Sequence, residues 1–355
     1  MSKLILVINP GGTTTKIGLF EDTRCVRQEK LIHSDAELAA LPRLSDQRAT
    51  RTASVREFLQ KQGITRGQLS AVVGRGGLLK PISSGTYAVN SAMLADLEKA
   101  ARGEHASNLG AAMAFDVAKE HGCDAFIVDP VAVDEMEPVA RITGVKGVER
   151  QSLSHALNMK AVAKRYANSL GKKYSDLNLI VAHLGTGTSI SAHKNGRMID
   201  VVNPKDEGPL AGDRAGSIPS TALIEMCFSA GADAKSVKKT LFGDGGLYSH
   251  LGTRDIREAI ARMENGEAVA RGVVEALAYQ TAKFIGQMAV VLEGKVDAIL
   301  LTGGVAFNPP VPEWVQKKVE WIAPVTVYPG EDELQALVEG TLRALSGEEP
   351  IIEYA

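Results

Sequence analysis

The sequence predicts an α/β protein built from two copies of one folding unit. Segments typical of strands alternate with segments typical of helices, and a strand–turn–strand pattern at the start of the chain recurs near its middle. The 355 residues also exceed the usual size of a single hydrophobic core. We therefore expect an α/β fold of two domains with a cleft between them.

Each copy of the repeated pattern is an apolar run, a turn rich in glycine and threonine, and a second strand. The first copy reads LVINPGGTTTKIGLF over 6–20, and the second reads IVAHLGTGTSISA over 180–192. With Gly11 aligned to Gly185, the two copies match without a gap. Glycines let the backbone approach an anion closely, and the hydroxyl and N–H groups of the turn supply donors. The pair of turns is therefore expected to hold a polyphosphate from two sides.

The first half begins with this hairpin, at about residues 4–20, and continues as a charged connector. The hydrophobic pattern then predicts helices near Thr50–Gln62, Asn90–Ala101 and Gly110–Glu120, and strands at Leu69–Val73 and Ala125–Asp129. Polar residues replace the apolar pattern near 145–152, where we place the domain boundary. The first domain then comprises 1–148 with a returning C-terminal helix at 334–355, and the second comprises 149–333.

The second half repeats the order of the first. Its hairpin, at 178–201, turns on an Asn-Gly pair. The later elements are predicted as a helix near Thr221–Phe228, a long buried helix from about Glu267 to Leu292, strands at Val296–Leu301 and Val325–Tyr328, and a C-terminal helix at about Asp332–Leu345. This order indicates two copies of a β-β-β-α-β-α unit, and the second copy is expected to carry the nucleotide site.

Composition and missing motifs exclude several classes of protein. Forty basic and 42 acidic residues give a formal charge of -2, which provides no general attraction for nucleic acid. No apolar stretch reaches the roughly 18–20 residues of a membrane span, and no leader pattern precedes the first strand. Three widely spaced cysteines indicate reduced thiols, so we expect a cytoplasmic protein with neither nucleic-acid nor membrane partners. There is no Walker-type phosphate loop and no zinc-binding spacing.

Three motifs carry a resemblance to a known family. The segments NPGGTTTK from Asn9, HLGTGTS from His183 and LTGG from Leu301 resemble the two phosphate motifs and the adenosine motif of the actin-like ATPase superfamily. Within that superfamily the chain resembles the acetokinase family over nearly its whole length, and most closely the butyrate kinases. The resemblance implies a duplicated ribonuclease-H-like fold, ATP or ADP with Mg²⁺, and reversible phosphoryl transfer from ATP to butyrate, giving butyryl phosphate and ADP. It also implies a homo-oligomer, a dimer or larger.

The residue types suit a carboxylate acceptor. Relatives that phosphorylate hydroxyl groups or hydrolyse ATP typically begin the first turn with Asp, whereas this chain has Asn9. A carboxylate with a pKa near that of Glu, about 4.3, is already ionised at neutral pH and needs no general base. It needs cations that bring two anions together and stabilise the transferring group.

The catalytic candidates lie at strand ends and in glycine-flanked loops. Arg214 stands between glycines and corresponds to the family's transition-state arginine. Arg75 is expected to replace the family arginine whose own position is occupied by Val72. The full catalytic set is Asn9, Arg75, Asp129, His183 and Arg214.

The nucleotide and metal candidates follow from the same motifs. Residues expected to bind the nucleotide are Gly11, Thr13, Lys16, Gly185, Gly187, Gly303, Gly304 and Asn308. Asp129 ends a buried strand, where ligands collect in open α/β sheets, and Glu333 corresponds to the family's Mg²⁺-linked glutamate, so both are expected to bind Mg²⁺. The family's catalytic histidine aligns with Gln151 rather than with His155, which leaves the role of both residues open.

Two further readings of function remain. Inside the enzyme class, the substrate could be acetate, propionate or a branched short-chain acid. Outside it, an actin-like or chaperone-like ATPase is the alternative, although no peptide-binding domain is recognisable. A sugar kinase or a sugar-responsive regulator would be expected to contain an Asp-x-Gly loop or an added DNA-binding unit, and the sequence shows neither.

Gly74 offers one hypothesis about acyl length. In acetate kinases the corresponding residue is a valine that borders the methyl group of acetate. A glycine at this position would remove an isopropyl group from the wall of the acyl pocket. Burying the two extra methylenes of butyrate would then contribute about 1.6 kcal/mol.

Overall fold

The structure is a computed structural model that describes residues 2–41 and 43–355. The chain forms two compact units: Met1–Val133 together with Asp332–Ala355 make unit 1, and Asp134–Glu331 make unit 2. No helix in these described stretches is both long enough and apolar enough to cross a membrane.

In the residues that the structure describes, unit 1 contains seven strands and five α-helices. They are β1 (Leu4–Pro10), β2 (Thr14–Glu21), β3 (Arg24–Ile32), α1 (Asp35–Ala39), α2 (Gln47–Lys61), β4 (Ala71–Arg75), β5 (Thr86–Ala88), α3 (Ser91–Lys99), α4 (Asn108–His121), β6 (Asp124–Val128), α13 (Glu333–Leu345) and β12 (Ile351–Glu353). The strands form one sheet in the order β12-β5-β6-β4-β1-β2-β3. Its central strands read as continuous apolar runs because α4 and α13 both pack on them.

Unit 2 contains five strands and eight helices. They are α5 (Pro138–Arg141), α6 (Ala156–Ser169), β7 (Leu179–Leu184), β8 (Thr188–Lys194), β9 (Arg197–Val202), α7 (Ser220–Cys227), α8 (Ala234–Leu241), α9 (Gly246–Leu251), α10 (Ile256–Glu264), α11 (Ala268–Val291), β10 (Ala298–Gly303), α12 (Pro310–Val319) and β11 (Val325–Pro329). The sheet order is β11-β10-β7-β8-β9, and the buried face of α11 packs on it.

The two sheets share one topology. In unit 1, β1 pairs antiparallel with β2 and parallel with β4, β2 pairs antiparallel with β3, and β4 pairs parallel with β6. In unit 2, β7 likewise pairs antiparallel with β8 and parallel with β10. Strand β8 pairs antiparallel with β9, and β10 pairs parallel with β11. The predicted α/β duplication is therefore confirmed.

Several described elements were not predicted from the sequence, and two of them show why. The expected charged connector contains β3, an edge strand whose nine residues are mostly exposed and include four charged ones. Charged side chains are a common protection for sheet edges, and they hide the alternation that marks a half-buried strand. Helix α6 was not predicted, because it buries the polar residues Asn158 and Lys160.

The hypothesis that Gly74 enlarges an acyl pocket is wrong. A Cβ atom at Gly74 would lie 2.1 Å from the carbonyl oxygen of Gly110 on α4 and 2.5 Å from its carbonyl carbon. The missing side chain therefore faces a closely packed helix backbone rather than an open space. Glycine is required here for the approach of strand and helix.

Candidate functional site

The first glycine/threonine turn joins β1 to β2 and rests on a fully buried arginine. Arg51, on α2, donates from its guanidinium to the carbonyl oxygens of Gly11 at 2.8 Å and Thr14 at 3.2 Å, and also to that of Gly12. It donates further to the side chain of Gln47 at 2.9 and 3.1 Å. Burial lowers the pKa of Arg51, but a guanidinium stays charged at neutral pH. A permanent positive charge therefore lies directly behind the turn.

Three of the predicted site residues meet in unit 1 around the carboxylate of Glu333, at the start of α13. Asn9, near the end of β1, donates from Nδ2 to Oε2 of Glu333 at 2.5 Å, and Arg75, at the end of β4, pairs with Oε1. The Nε of Arg75 is buried and finds no hydrogen-bond partner in the part of the chain that the structure describes. The cluster therefore joins an amide, a carboxylate and a guanidinium that has a donor still available.

Asp129 directly follows β6 and is almost fully buried. Its φ of +38° lies in the left-handed region, which costs a non-glycine residue about 1–3 kcal/mol. Reciprocal bonds with Gly85 hold it there: the Gly85 N–H donates to Oδ1 at 2.7 Å, and the Asp129 N–H donates to the Gly85 carbonyl at 3.0 Å. Strained backbone of this kind is common at functional sites.

The other unit 1 candidates belong to the turn itself. The Gly11 N–H donates to the Thr14 carbonyl at 2.6 Å and closes the turn. Thr13 and Lys16 are exposed, and Lys16 pairs in register with Asn9 across the hairpin. Both are accessible to a ligand, and the structure describes no side-chain bond between either of them and the Glu333 cluster.

His183 takes the place in β7 that Asn9 takes in β1. Its imidazole is only 1% exposed and stacks on the ring of His155, with centroids 3.8 Å apart and an interplanar angle of 7°. Asn158, on α6, lies 2.9 Å from Nδ1. Nε2 is 3.3 Å from Oε1 of Glu331, yet no described residue forms a hydrogen bond with it. The ring is thus fixed on one side and has a nitrogen available on the other.

The available nitrogen of His183 faces the second glycine turn. A Cβ at Gly185 would lie 3.3 Å from Nε2 and 3.7 Å from the Glu331 carboxylate, so glycine keeps this space open. Gly187 is buried beside Arg214, whose Cγ would be 3.9 Å from a Cβ at that position. The turn therefore offers open space at Gly185, whereas Gly187 packs against the following loop.

Arg214 lies in the loop after β9 and is partly buried. Its Nη1 donates to Oδ1 of Asp213 at 2.7 Å, and the Asp213 N–H donates to the Thr186 carbonyl at 3.3 Å. The loop is therefore bonded to the second glycine turn. This arrangement brings Arg214 into the same neighbourhood as Gly187.

A cavity of about 610 Å³ within unit 2 adjoins the second turn. Among the predicted nucleotide residues, Gly185, Gly304 and Asn308 line it. Gly303 is not among its lining residues and has a structural reason to be glycine: its φ is +91°, and a Cβ would lie 2.3 Å from the Leu184 carbonyl oxygen. Asn308 donates to the Val305 carbonyl at 3.1 Å and thereby fixes its own loop.

Sequence reasoning missed one side of this cavity. It is lined by Arg254, Asp255, Ile256 and Arg257, together with the exposed ring of Phe307. Asp255 caps α10 and pairs with Arg257 at 2.5 Å. The signal was the run Thr-Arg-Asp between two helices, which is a polar loop with an N-cap and resembles many ordinary surface loops.

The predicted metal residues offer the kind of ligand that Mg²⁺ takes. Magnesium is usually held by one or two carboxylates together with water and substrate phosphates. Asp129 and Glu333 are both carboxylates of unit 1, but Glu333 is bonded to Arg75 and Asn9. Within the described residues there is no group of three His, Cys, Asp or Glu side chains that could hold a metal alone. The residues fit Mg²⁺ that arrives with a nucleotide.

The comparisons with known proteins agree with this geometry. A sequence model of the acetokinase family matches residues 140–322, just over half of the chain. An acetate kinase from Porphyromonas gingivalis is 21% identical with a TM-score of 0.80, and the match covers 97% of this chain and 100% of that one. A propionate kinase from Francisella tularensis is 19% identical with a TM-score of 0.77, covering 95% and 98%.

More distant sugar kinases share the fold at lower similarity. A Listeria monocytogenes protein named as a possible N-acetylmannosamine kinase is 12% identical with a TM-score of 0.53, covering 96% of this chain and 99% of that one. Identities this low show the fold alone, whereas the family model rests on the sequence itself. The chain belongs to the acetokinase family, a family of carboxylate kinases that use ATP and ADP.

Proposed function

We propose that this protein catalyses reversible phosphoryl transfer between ATP and butyrate, giving butyryl phosphate and ADP. The observation that carries the proposal is the polar group at the end of β1: Asn9, Arg75 and Glu333 are bonded together where hydroxyl kinases typically place an aspartate. An amide and a guanidinium do not repel an incoming carboxylate, and the nucleophile needs no base because it is already ionised. Unit 1 is proposed to bind this substrate, with the guanidinium of Arg75 as one donor.

Unit 2 is proposed to bind the nucleotide. The cavity of about 610 Å³ adjoining Gly185 is large enough for a small ligand. We place the base and ribose against Gly304, Asn308 and Phe307, and the phosphates at the second glycine turn. Arg214 and the Nε2 of His183 would donate to the transferring phosphoryl group, whose charge must be stabilised without covalent help from the protein.

Mg²⁺ would neutralise phosphate charge when it binds with the nucleotide. Asp129 and Glu333 are the residues proposed to hold it, directly or through water. Arg75 would then be released from Glu333 and become available to the carboxylate substrate. In the absence of the ion, the pairing of Arg75 with Glu333 keeps both charges satisfied.

Butyrate as the preferred acid rests on the sequence resemblance, since Gly74 does not face a pocket. Acetate, propionate and branched short-chain acids are the alternatives inside the family. The neighbour named as a propionate kinase shows that the fold accommodates more than one acid. We also propose a cytoplasmic homo-oligomer, a dimer or larger, on the same resemblance.

The proposal is tested by trapping the acyl phosphate. Purified protein is incubated with ATP, Mg²⁺ and hydroxylamine in the presence of acetate, propionate, butyrate or isobutyrate, while ADP release is followed in parallel with glycerol as acceptor. We expect acyl hydroxamate with all short acids and the highest kcat/KM with butyrate. ADP release without hydroxamate from any acid would indicate an ATPase or a hydroxyl kinase instead.

A further inference from the structure

The side chain of Asn158 bonds two partners with the same atom. Its terminal nitrogen lies 2.9 Å from Nδ1 of His183 and 3.0 Å from Oγ1 of Thr302. Thr302 pairs with His183 in register on the neighbouring strand, and its hydroxyl donates to the carbonyl oxygen of Gly330 at 3.0 Å. All of these residues lie within unit 2.

The directions of these hydrogen bonds determine which ring nitrogen of His183 carries the proton. A threonine hydroxyl has one proton, and here that proton is used on the Gly330 carbonyl. The Asn158 atom that faces Thr302 must therefore be a donor, which makes it the amide nitrogen. The same nitrogen faces Nδ1 of His183, so Nδ1 must accept. A neutral imidazole that accepts at Nδ1 carries its proton on Nε2.

We infer that Asn158, anchored by Thr302, is a positioning residue that keeps the proton of His183 on Nε2, aimed at the phosphate turn. This inference rests on the proposed function for its consequence, because the Nε2–H would donate to an oxygen of the transferring phosphoryl group. Nε2 is buried, forms no hydrogen bond with any residue that the structure describes, and lies next to the space that Gly185 leaves open; this is the independent observation that points to a ligand.

The surroundings of His183 keep the ring in this orientation. His155 covers one face of the ring, and its own Nδ1 is bonded to Ser189 at 3.0 Å. Glu331 places a carboxylate oxygen 3.3 Å from Nε2, on the side of the ring where the proton is inferred to lie.

The tautomer can be measured directly in the nucleotide-free protein. Long-range ¹H–¹⁵N correlation spectra of histidine-labelled protein distinguish a protonated from an unprotonated ring nitrogen, and a His183→Gln variant assigns the signals. In spectra recorded at pH 8 we expect Nε2 of His183 to be protonated and Nδ1 to be unprotonated. A proton on Nδ1, or on both nitrogens, would overturn the inference.

Two variants test whether Asn158 sets this state. Asn158→Asp keeps the shape but replaces the donor with a carboxylate, so the proton should move to Nδ1. Thr302→Val removes the anchor of the amide, and a mixture of tautomers should appear even if the first variant does not fold. Asn108→Asp, a buried Asn in unit 1 with bonds to Leu78 and Gly103, controls for the burial of a new carboxylate and should leave the His183 signals unchanged. Wild-type signals in both test variants would overturn the role of Asn158.

Kinetics separate this role from ordinary packing. Asn158→Asp should lower kcat by about tenfold or more at pH 8, with little change in the KM for ATP, because the lost donor acts on the transferring group. A raised KM for ATP with an unchanged kcat would contradict the inference. If no acid is phosphorylated by the wild type, the proposed function fails, whereas the tautomer measurement stands or falls separately.

Discussion

At the scale of single residues, the duplicated fold places an amide and an imidazole at equivalent positions. Asn9 ends the first strand of unit 1 and is bonded to Glu333, whereas His183 occupies the same place in unit 2 and keeps Nε2 available. Neither position holds a carboxylate, which would repel both phosphate and a carboxylate substrate. The two positions therefore suit a reaction between two anions.

His183 and Arg214 are predicted to act mainly on the transition state. His183→Ala or Arg214→Ala should lower kcat about 10²-fold or more with little change in nucleotide affinity, the loss expected for one preorganised donor. Steady-state kinetics and nucleotide titration check this. Arg271→Ala, which removes an exposed arginine paired with Glu275, is the matched control and should retain activity. A variant with normal kcat and a raised KM for ATP would reassign that residue to binding.

His193 is predicted to make unit 2 less stable in acid. It is fully buried between Tyr174 and Ser191, and burial, aided by the charge of Lys160, lowers its pKa to about 3. In the unfolded chain His193 binds a proton near pH 6.5, whereas in the folded chain it stays neutral until the pH approaches 3. The stability that depends on a neutral His193 is therefore fully present above pH 6.5, and the free energy of unfolding decreases as the pH falls towards 3. Between pH 7.5 and 5.5 the loss should be about 1.4 kcal/mol.

Urea unfolding followed by tryptophan fluorescence measures this loss, because Trp314 and Trp321 both lie in unit 2. The pH-dependent part of the unfolding free energy should shrink in His193→Gln by the stated amount. His250→Gln, which changes an exposed histidine of the same unit, should behave as the wild type. An unchanged pH dependence in His193→Gln would rule out the explanation.

At the scale of elements, helix α2 supports the first turn through Arg51. Replacing Arg51 with Met removes its bonds to three partly buried carbonyl oxygens of the turn, so unfolding should require about 3 kcal/mol less free energy. Arg56→Met, on the same helix, removes only an exposed pair with Glu120 and should cost under about 1 kcal/mol. Urea unfolding followed by circular dichroism compares the two. Similar losses would mean that the turn does not depend on Arg51.

The contact between β4 and α4 is predicted to tolerate no side chain. Gly74→Ala would place a Cβ 2.1 Å from the Gly110 carbonyl oxygen, and relieving this overlap should cost about 1–3 kcal/mol or more. Gly12→Ala, where nothing lies within 4 Å of the added Cβ, should leave stability nearly unchanged. The two thermal unfolding midpoints test this, and a stable Gly74→Ala protein with altered acid preference would restore the acyl-pocket hypothesis.

The sequence predicts the elements whose pattern is local and misses those defined by partners. The hairpins, α11 and the strand before Gly303 were all predicted, because their apolar spacing is regular. Edge strand β3 was missed because it is charged on both faces, and α6 because it buries polar side chains. Arg51 and Asn158 were not predicted as site residues for a related reason. An isolated Arg or Asn in a helix usually faces solvent, and only the folded structure shows which groups it bonds to.

At the scale of the whole molecule, the duplication distributes the proposed reaction over both units. Unit 1 contains the amide, guanidinium and carboxylates proposed for the acid and Mg²⁺, and unit 2 contains the cavity proposed for the nucleotide. The domain division remains a prediction: a first domain of 1–148 with 334–355, a second of 149–333, and a boundary near 145–152. The roles of Thr13, Lys16 and Gly187 at the nucleotide also await substitution and binding experiments.

The reverse reaction tests the central claim most directly. Chemically prepared butyryl phosphate is supplied with ADP and Mg²⁺, and ATP is measured with luciferase, alongside acetyl phosphate and a His183→Ala protein. A reversible butyrate kinase must form ATP from butyryl phosphate faster than from acetyl phosphate, and at least about 10²-fold slower without His183. Release of inorganic phosphate without ATP, or ATP formation unaffected by His183→Ala, would contradict the account.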